Sequence, residues 1–533
     1  MRWTIADVIR RQAESRGDQP ALSFEHRTVT YADLSDRSSQ VAQALLAEGV
    51  GPQDRVAYID KNSVEFFEVL FGLAKMNAVN VTVNWRLSPQ EMAYVVNDSE
   101  AKVLFVGEEY LEHLQAMREK LISVKRIIVM GGVAVGSDEA YEDWLVPHSA
   151  TDPGVSADSH DVALQLYTSG TTADPKGVMV TNANLGCVMS EVPPWWDIDA
   201  KSVTLVCTPL FHIAGTEWAL IGLHCGAHAI VLRQFEPGEV LGALGQGRIT
   251  NAVLVPSMLQ ILIHRPESAG RDFSPLRTVL YGASPITEQT LVTALETFGC
   301  NFIQGYGLTE ATGSITILPA DIHDPFGPRS NLLRSAGRPF PWVELRIVDP
   351  ETGDERPRGE IGEVWTRSAQ NMKGYWNMPE ETAKVLRADG WLRTGDGGYL
   401  DSEGYLFLAD RIKDMIITGA ENVAPAEVES VLAGHPGVAE VAVIGVPHPK
   451  WGETVKAIVV AAPEISVEAD DILAFARQRL ATFKCPTSVD FVTDLPRNPS
   501  GKVLKRELRK RYANEAPAAK APTSLEPSQG QHL

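Results

Sequence analysis

The stretch Leu166-Tyr167-Thr168-Ser169-Gly170-Thr171-Thr172-Ala173-Asp174-Pro175-Lys176-Gly177 gathers four aliphatic hydroxyls, two glycines and a lysine after the mostly apolar run Val162 to Leu166. Small residues let a backbone come close to an anion and turn its N–H groups toward it. Hydroxyls add donors, and Lys176 adds a positive charge for phosphate oxygens. The composition suits a loop that wraps a polyphosphate. The phosphate loop of the common nucleotidases does not fit, because it needs Gly, four residues, then Gly-Lys-Ser/Thr. Counting on from Gly170, the second glycine would fall at Pro175, and Lys176 is followed by Gly177. Taken alone, the stretch reads equally well as a solvent-exposed turn.

Four further clusters fall at expected loop positions downstream. Gln304-Gly305-Tyr306-Gly307-Leu308-Thr309-Glu310 ends in a hydroxyl and a carboxylate, and Gly390-Trp391-Leu392-Arg393-Thr394-Gly395-Asp396 ends in a carboxylate. Asp410-Arg411-Ile412-Lys413-Asp414 is a dense charge knot between apolar runs, and Pro496-Arg497-Asn498-Pro499-Ser500-Gly501-Lys502 sets a lysine on a rigid turn. Individually, Asp396 reads as a turn cap, the knot as a solvated loop and Lys502 as a surface lysine.

The elements that must position these clusters alternate. Arg55–Ile59 reads as a strand, Val64–Met76 as a helix and Val79–Val83 as the next strand. Ser88-Pro89-Gln90-Glu91 then supplies an N-cap, a first-turn proline and a capping-box glutamate. Val103–Val106, a helix over Tyr110–Ile122 and Arg126–Met130 continue the rhythm, which recurs from 203 to 305. Strands alternating with helices of this length predict α/β architecture, with parallel sheets covered by helices. After Pro339 the texture turns β-rich, and a small α/β segment follows Asp410. The expected organisation is a large domain over 1–409, a hinge at 410–414, a small mobile domain over 415–513 and a disordered tail over 514–533.

At 533 residues, with 44% hydrophobic and 22% charged residues, the chain has the composition of a globular enzyme. A net charge of −20 argues against a nucleic-acid partner. Five scattered cysteines without a Cys-x-x-Cys argue against a disulfide framework or zinc site and read as packing thiols. The N-terminus lacks a hydrophobic signal core and no apolar run is long enough to span a bilayer, so a cytoplasmic protein is the expectation. Peripheral membrane contact and oligomeric state stay open.

Together and in this order, the five motifs resemble the adenylate-forming superfamily, which includes acyl-CoA synthetases, 4-coumarate–CoA ligases, luciferases and amino-acid adenylation domains. The resemblance covers about residues 5 to 512, and Asp410 to Glu429 looks most like the fatty-acyl and aryl CoA ligases. It implies ATP, Mg²⁺ and CoA as cofactors, and a carboxylic acid as the partner substrate. The acid would attack the α-phosphorus of ATP, giving an acyl-adenylate and pyrophosphate, and CoA thiolate would then displace AMP.

The resemblance implies that Thr168, Ser169, Gly170, Thr171, Thr172 and Lys176 hold the β- and γ-phosphates. Glu310 would ligate Mg²⁺, Thr309 would meet the α-phosphate, and Gly282-Ala283-Ser284 would lie against adenine. Gln304, Gly305 and Tyr306 would complete the nucleotide wall, with Asp396 and Arg411 on the ribose. Lys502 would be the catalytic lysine and Lys413 the pivot of a rotation between half-reactions. Gly419, Ala420, Glu421 and Trp451 would serve the CoA side. Two departures, Ala173 and Ala420 where the family usually has glycine, bear on loop mobility.

Pro209-Leu210-Phe211-His212-Ile213-Ala214 matches the family segment at the acyl pocket, and His212 is counted among the residues at the reacting centre. Amino-acid-activating relatives carry an aspartate at the position of His212 to pair the substrate ammonium, so an α-amino acid is not expected here. No charged residue stands out among the other pocket candidates Trp195, Trp196, Ile213, Thr216, Tyr306 and Leu308; the two tryptophans read equally as core packing. A medium- to long-chain fatty acid is the first expectation and an aryl or steroid-derived acid the second. Transfer to a carrier protein and a catalytically silent binding protein are the remaining alternatives.

Overall fold

Val79–Thr82 and Val103–Gly107 are buried along their whole length, and Arg55–Ile59 over all but its first residue. Such runs suit strands covered on both faces, the setting of a parallel sheet. The computed structural model describes residues 3–132, 136, 138–168, 175–268, 270–411, 414–418, 421–448, 451–463, 465–497 and 503–512, with backbone alone at 410, 411, 421 and 422. Its contacts divide the chain into two units, Met1–Leu408 and Ala409–Leu533.

The first unit holds three sheets. An eight-stranded sheet runs parallel from Val162–Thr168 through Val79–Thr82, Arg55–Ile59 and Val103–Gly107 to Arg126–Met130 and Glu139–Ala140. Lys176–Thr181 and then Gly374–Tyr375 extend its other edge antiparallel. A nine-stranded sheet runs parallel through Asn301–Leu308, Thr278–Gly282, Asn251–Val253, Val203–Val206, His228–Val231 and Pro20–Phe24. Beyond Asn301–Leu308 it continues antiparallel with Gly313–Leu318 and Arg338–Pro339, and beyond Pro20–Phe24 with Arg27–Thr30. A four-stranded sheet orders Glu344–Val348, Gly362–Arg367, Leu392–Leu400 and Leu406–Arg411.

The second unit has a sheet of Glu421–Val423, Ile416–Thr418, Gly452–Ala461, Val438–His448 and Ser488–Phe491 with three helices, Pro425–Leu432, Ala469–Arg477 and Lys505–Tyr512. The expected tail from 514 lies outside the described residues.

The expected capping box at Ser88 is present: Glu91 Oε2 accepts from the Ser88 N–H at 2.8 Å, and Ser88 Oγ accepts from the Glu91 N–H. The single helix expected over Tyr110–Ile122 is not. The α-helix spans Leu111–Met117, with 3₁₀ turns at Glu108–Tyr110 and Arg118–Lys120. Asn97 captures the end of this segment, donating to the Lys120 carbonyl and accepting the Ile122 N–H. A side chain that takes up backbone groups in this way competes with helical pairing. The five cysteines are free, and burial pushes the thiols of Cys207 and Cys300 up to about 12. Among the described residues, no helix is long and apolar enough to cross a membrane.

Two clusters expected at loops are strands. Gln304 to Leu308 belongs to Asn301–Leu308, and Asp396 sits inside Leu392–Leu400. Their glycines serve close approach of neighbouring strands. A Cβ on Gly307 would lie 1.8 Å from the Gly313 carbonyl oxygen, and one on Gly282 would lie 2.1 Å from that of Gly305. Gly307→Ala therefore has to move backbone, and urea unfolding should show a loss of about 1–3 kcal/mol. Gly242→Ala, in the helix Pro237–Leu244 with nothing within 4 Å of the added carbon, should instead gain ~0.5–1 kcal/mol.

Candidate active site

In open α/β sheets, ligands bind beyond the carboxyl ends of parallel strands. Thr168 ends Val162–Thr168, Gly282 ends Thr278–Gly282, and Thr309-Glu310 follow Asn301–Leu308. Three of the sequence clusters therefore leave their sheets at that end.

Thr168 pairs with Lys176 across the hairpin, so the hydroxyl-rich stretch spans two adjacent strands. Ser169, Gly170, Thr171 and Thr172 lie outside the described residues. The Lys176 ammonium is buried, 2.5 Å from Glu381 Oε2 and 5.1 Å from the centre of the Tyr375 ring. The Tyr375 hydroxyl donates to Glu310 Oε1 at 2.9 Å, while the Met372 N–H donates to the Glu310 carbonyl oxygen at 2.8 Å. Lys176, Tyr375 and Glu310 thus form one line of contacts. Hydrogen bonds from Lys176 and Lys384 pull the Glu381 carboxyl down to about 2, so it is ionised at neutral pH. Tyr375 and Glu381 were not singled out in the sequence; the only local signal is the glycine–aromatic run Gly374-Tyr375-Trp376 before an acidic, proline-led helix, Pro379–Val385.

Gly282 faces Gly305 in register, and the chain then turns through Ala283 with φ +66°. A left-handed alanine is uncommon and costs about 1 kcal/mol or more. It presents exposed Ala283 and Ser284 just past the strand end. The Tyr306 hydroxyl donates to Asp396 Oδ2 at 2.8 Å, which joins the nine-stranded sheet to the four-stranded one. Asp396 is further fixed through its own N–H, which donates to Thr394 Oγ1 at 3.1 Å. Gln304 Oε1 is buried and has no partner among the described residues.

His212 occupies the N-cap position of the helix Ile213–Cys225, with its ring centre 4.3 Å from that of Phe211. Burial, reinforced by the Arg86 charge, holds its imidazole down to about 4, so it is neutral at pH 7. Its Nε2 has no partner among the described residues. Thr216 donates to the Leu210 carbonyl at 2.6 Å, and Trp196 is core, packed on Trp218 at 5.8 Å. Trp195 is partly exposed against Phe340.

Next to Thr216 lies Glu217, another side chain that sequence reading passed over. It is 2% exposed, and burial pushes its carboxyl up to about 8 despite the Ser314 N–H directed at it. Its alternation with apolar neighbours in a helix hydrophobic all round was the available signal.

In the second unit, Trp451 is 47% exposed and its N–H donates to His448 Nδ1 at 3.2 Å. Arg411 ends Leu406–Arg411 and Glu421 begins Glu421–Val423. Lys413, Gly419, Ala420 and Lys502 lie outside the described residues. A surface depression of about 550 Å³, lined by Thr4, Asp7, Arg10 and Asp152, contains none of the site residues.

The Glu217 shift has a thermodynamic sign. Its unfolded-state pKa is near 4.5 and its folded value about 8, so native protein holds a proton that unfolded chain releases in between. The contribution is whole below about pH 4.5 and is lost as pH rises toward 8. Glu217→Gln lacks this titration. Denaturant unfolding at pH 5, 7 and 8.5 should show the variant gaining on the parent as pH rises; a constant difference would contradict a neutral buried carboxyl.

Residues 9–376 match the AMP-binding enzyme family, and residues 427–502 match the AMP-binding enzyme C-terminal domain. The fatty acid–[acyl-carrier-protein] ligase ScoC of Streptomyces coeruleorubidus is 40% identical over 96% of both chains. A feruloyl-CoA synthase of Amycolatopsis sp is 39% identical over 94% of this chain and 98% of its own. The crystal structure of ATP-bound MatB from Rhodopseudomonas palustris superposes with a TM-score of 0.86 at 31% identity, covering 96% of this chain and 99% of that one. With family matches over both units, the chain belongs to the AMP-binding enzymes, the adenylate-forming superfamily of acid–thiol ligases.

Proposed function

We propose that the protein is an ATP-dependent acyl-CoA ligase whose acid is a medium- to long-chain fatty acid. The observation that carries this reading is the line Lys176–Tyr375–Glu310 beside the Tyr306–Asp396 pair, since it sets a cation and two carboxylates around one strand end. In this reading, Lys176 leaves Glu381 for the β- and γ-phosphates, which Thr168 to Thr172 also hold. Asp396, already oriented by Tyr306, accepts from the ribose hydroxyls. Gly282-Ala283-Ser284 lies along adenine, and Thr309 donates to the α-phosphate. Glu310 fits Mg²⁺, which takes few carboxylates plus phosphate oxygens; when bound, the ion neutralises charge on those oxygens.

The carboxylate oxygen of the acid attacks the α-phosphorus as the bond to the pyrophosphate oxygen breaks. Lys502 would stabilise charge between the carboxylate and α-phosphate in that transition state. CoA sulfur then attacks the acyl carbonyl, and AMP leaves with the former carboxylate oxygen. The two-unit division, the hinge at 410–414 and the pivot Lys413 fit a rotation that retires Lys502 and brings Gly419, Ala420, Glu421 and Trp451 to the CoA side. Cytoplasmic location belongs to the same proposal. The similarity to ScoC favours one alternative, a carrier-protein thiol in place of CoA, and the similarity to a feruloyl-CoA synthase favours another, an aryl acid.

Purified protein with ATP, Mg²⁺, CoA and a panel of fatty and aryl acids should yield acyl-CoA and AMP by mass spectrometry. Acyl-adenylate without thioester, relieved by a phosphopantetheinyl carrier, would replace CoA as the acceptor. Lys502→Ala should abolish adenylate formation while preformed acyl-adenylate still becomes thioester. Equal loss of both half-reactions would count against the rotation.

Tyr375→Phe removes one hydrogen bond from Glu310, a change of about 1 kcal/mol or ~5-fold. Titrating Mg²⁺ in the adenylation assay should show that factor in the metal requirement, with the thioester half-reaction from preformed adenylate unchanged.

A further inference from the structure

Glu217 is the only acidic residue of the helix Ile213–Cys225, and it points inward. The carboxyl fills space that exists because residue 313 is glycine: a Cβ there would lie 2.0 Å from Glu217 Oε2. One flank of the carboxyl has the Ser314 N–H, but Oε1 has no partner among the described residues. Two more buried polar atoms without a partner sit on the same two segments. His212 Nε2 lies five residues earlier at the head of the helix, and Thr312 Oγ1 lies directly before Gly313. Buried polar atoms are nearly always hydrogen-bonded, so a set of orphans needs an explanation. Thr312 follows Glu310 by two residues, just past the strand Asn301–Leu308 that delivers Thr309 and Glu310. A polar ligand group within reach of one of these atoms would supply the partner it lacks.

We propose that Glu217 reads a hydroxyl on the acyl portion of the substrate, remote from the reacting carboxylate, so that the protein prefers a hydroxylated acid to its deoxy counterpart. The inference rests on the ligase reading above and deepens it. Five residues from His212 to Glu217 correspond to ~7.5 Å along the helix axis, which places the hydroxyl well down the chain or across a ring. A buried carboxyl held neutral both donates and accepts, as a hydroxyl does, so each group satisfies the other. An ammonium would instead force Glu217 to ionise in the interior, with two desolvation penalties to offset. A plain methylene would leave Oε1 as bare as it is now, and sites built to bond a hydroxyl discriminate strongly against analogues that lack it.

The test is kcat/KM for AMP formation with matched acids: 4-hydroxycinnamate against cinnamate, and 10-hydroxydecanoate against decanoate. Wild type should favour the hydroxylated member of at least one pair by about 10-fold or more, and the pair that responds identifies the source as phenol or alcohol. Glu217→Leu should erase or invert that ratio by raising activity on the deoxy acid, whereas Glu217→Gln, which still donates and accepts, should keep a preference. A merely structural role would lower both members of a pair equally. Turnover with ratios near one in wild type overturns the inference alone and needs no variant to fold. Absence of AMP from every acid overturns the ligase reading and this inference with it.

Discussion

The hydrogen bond from the Tyr375 hydroxyl to Glu310 joins the edge of the eight-stranded sheet to the end of a strand in the nine-stranded one. Tyr375 is held by backbone pairing to the strand of Lys176, and Glu310 is held by the turn after Asn301–Leu308 and by the Met372 N–H. The separation between the lysine and the carboxylate is therefore set by sheet geometry rather than by flexible side chains. Tyr306 to Asp396 does the same between the nine-stranded and four-stranded sheets. Three sheets are thus fastened to one another through Tyr375–Glu310 and Tyr306–Asp396, so displacement of any one sheet would disturb the others. Rigid elements position reacting groups better than loops do, and small misplacements are costly in rate.

That dependence explains what the sequence could and could not disclose. Lys176, Thr309, Glu310 and Asp396 stand in short runs whose residue types already suggest anion, metal and ribose chemistry. Their companions do not. Tyr375 lies 65 residues from Glu310, and Glu381 lies 205 from Lys176. A tyrosine and a glutamate are commonplace, and only the pairing of Gly374–Tyr375 onto Lys176–Thr181 gives them meaning. The α/β rhythm was legible because buried strands and capped helices leave strong local signals, as at Arg55–Ile59 and Ser88. Gln304 to Leu308 and Asp396 were misread as loops because glycine is locally a turn signal. At Gly307, the cause is a neighbouring backbone too close for any side chain.

The proposed acyl side differs from the proposed nucleotide side in its electrostatics. Lys176, Glu381, Glu310 and Asp396 form a charged set with partners within hydrogen-bond reach, suited to ligand phosphates and hydroxyls that exchange for those partners. His212 and Glu217 are titratable groups that burial keeps neutral, the first by depressing its pKa and the second by raising it. Burial is the larger cause of both shifts, with the Arg86 charge adding to that of His212, so the interior disfavours the charged form at each of these two positions.

This polarity bears on specificity. An apolar pocket separates acids by a single methylene only weakly, so it does not by itself define a substrate. Neutral polar atoms without partners are a different matter, because desolvation has already been incurred in folding and a complementary group recovers it on binding. Glu217 Oε1, His212 Nε2 and Thr312 Oγ1 are in that position. In the proposed reaction, the residues on the nucleotide side would serve adenylation, while the three orphans would bear on which acid is activated. Selectivity would then rest on residues other than those that tie the sheets together, Tyr375–Glu310 and Tyr306–Asp396.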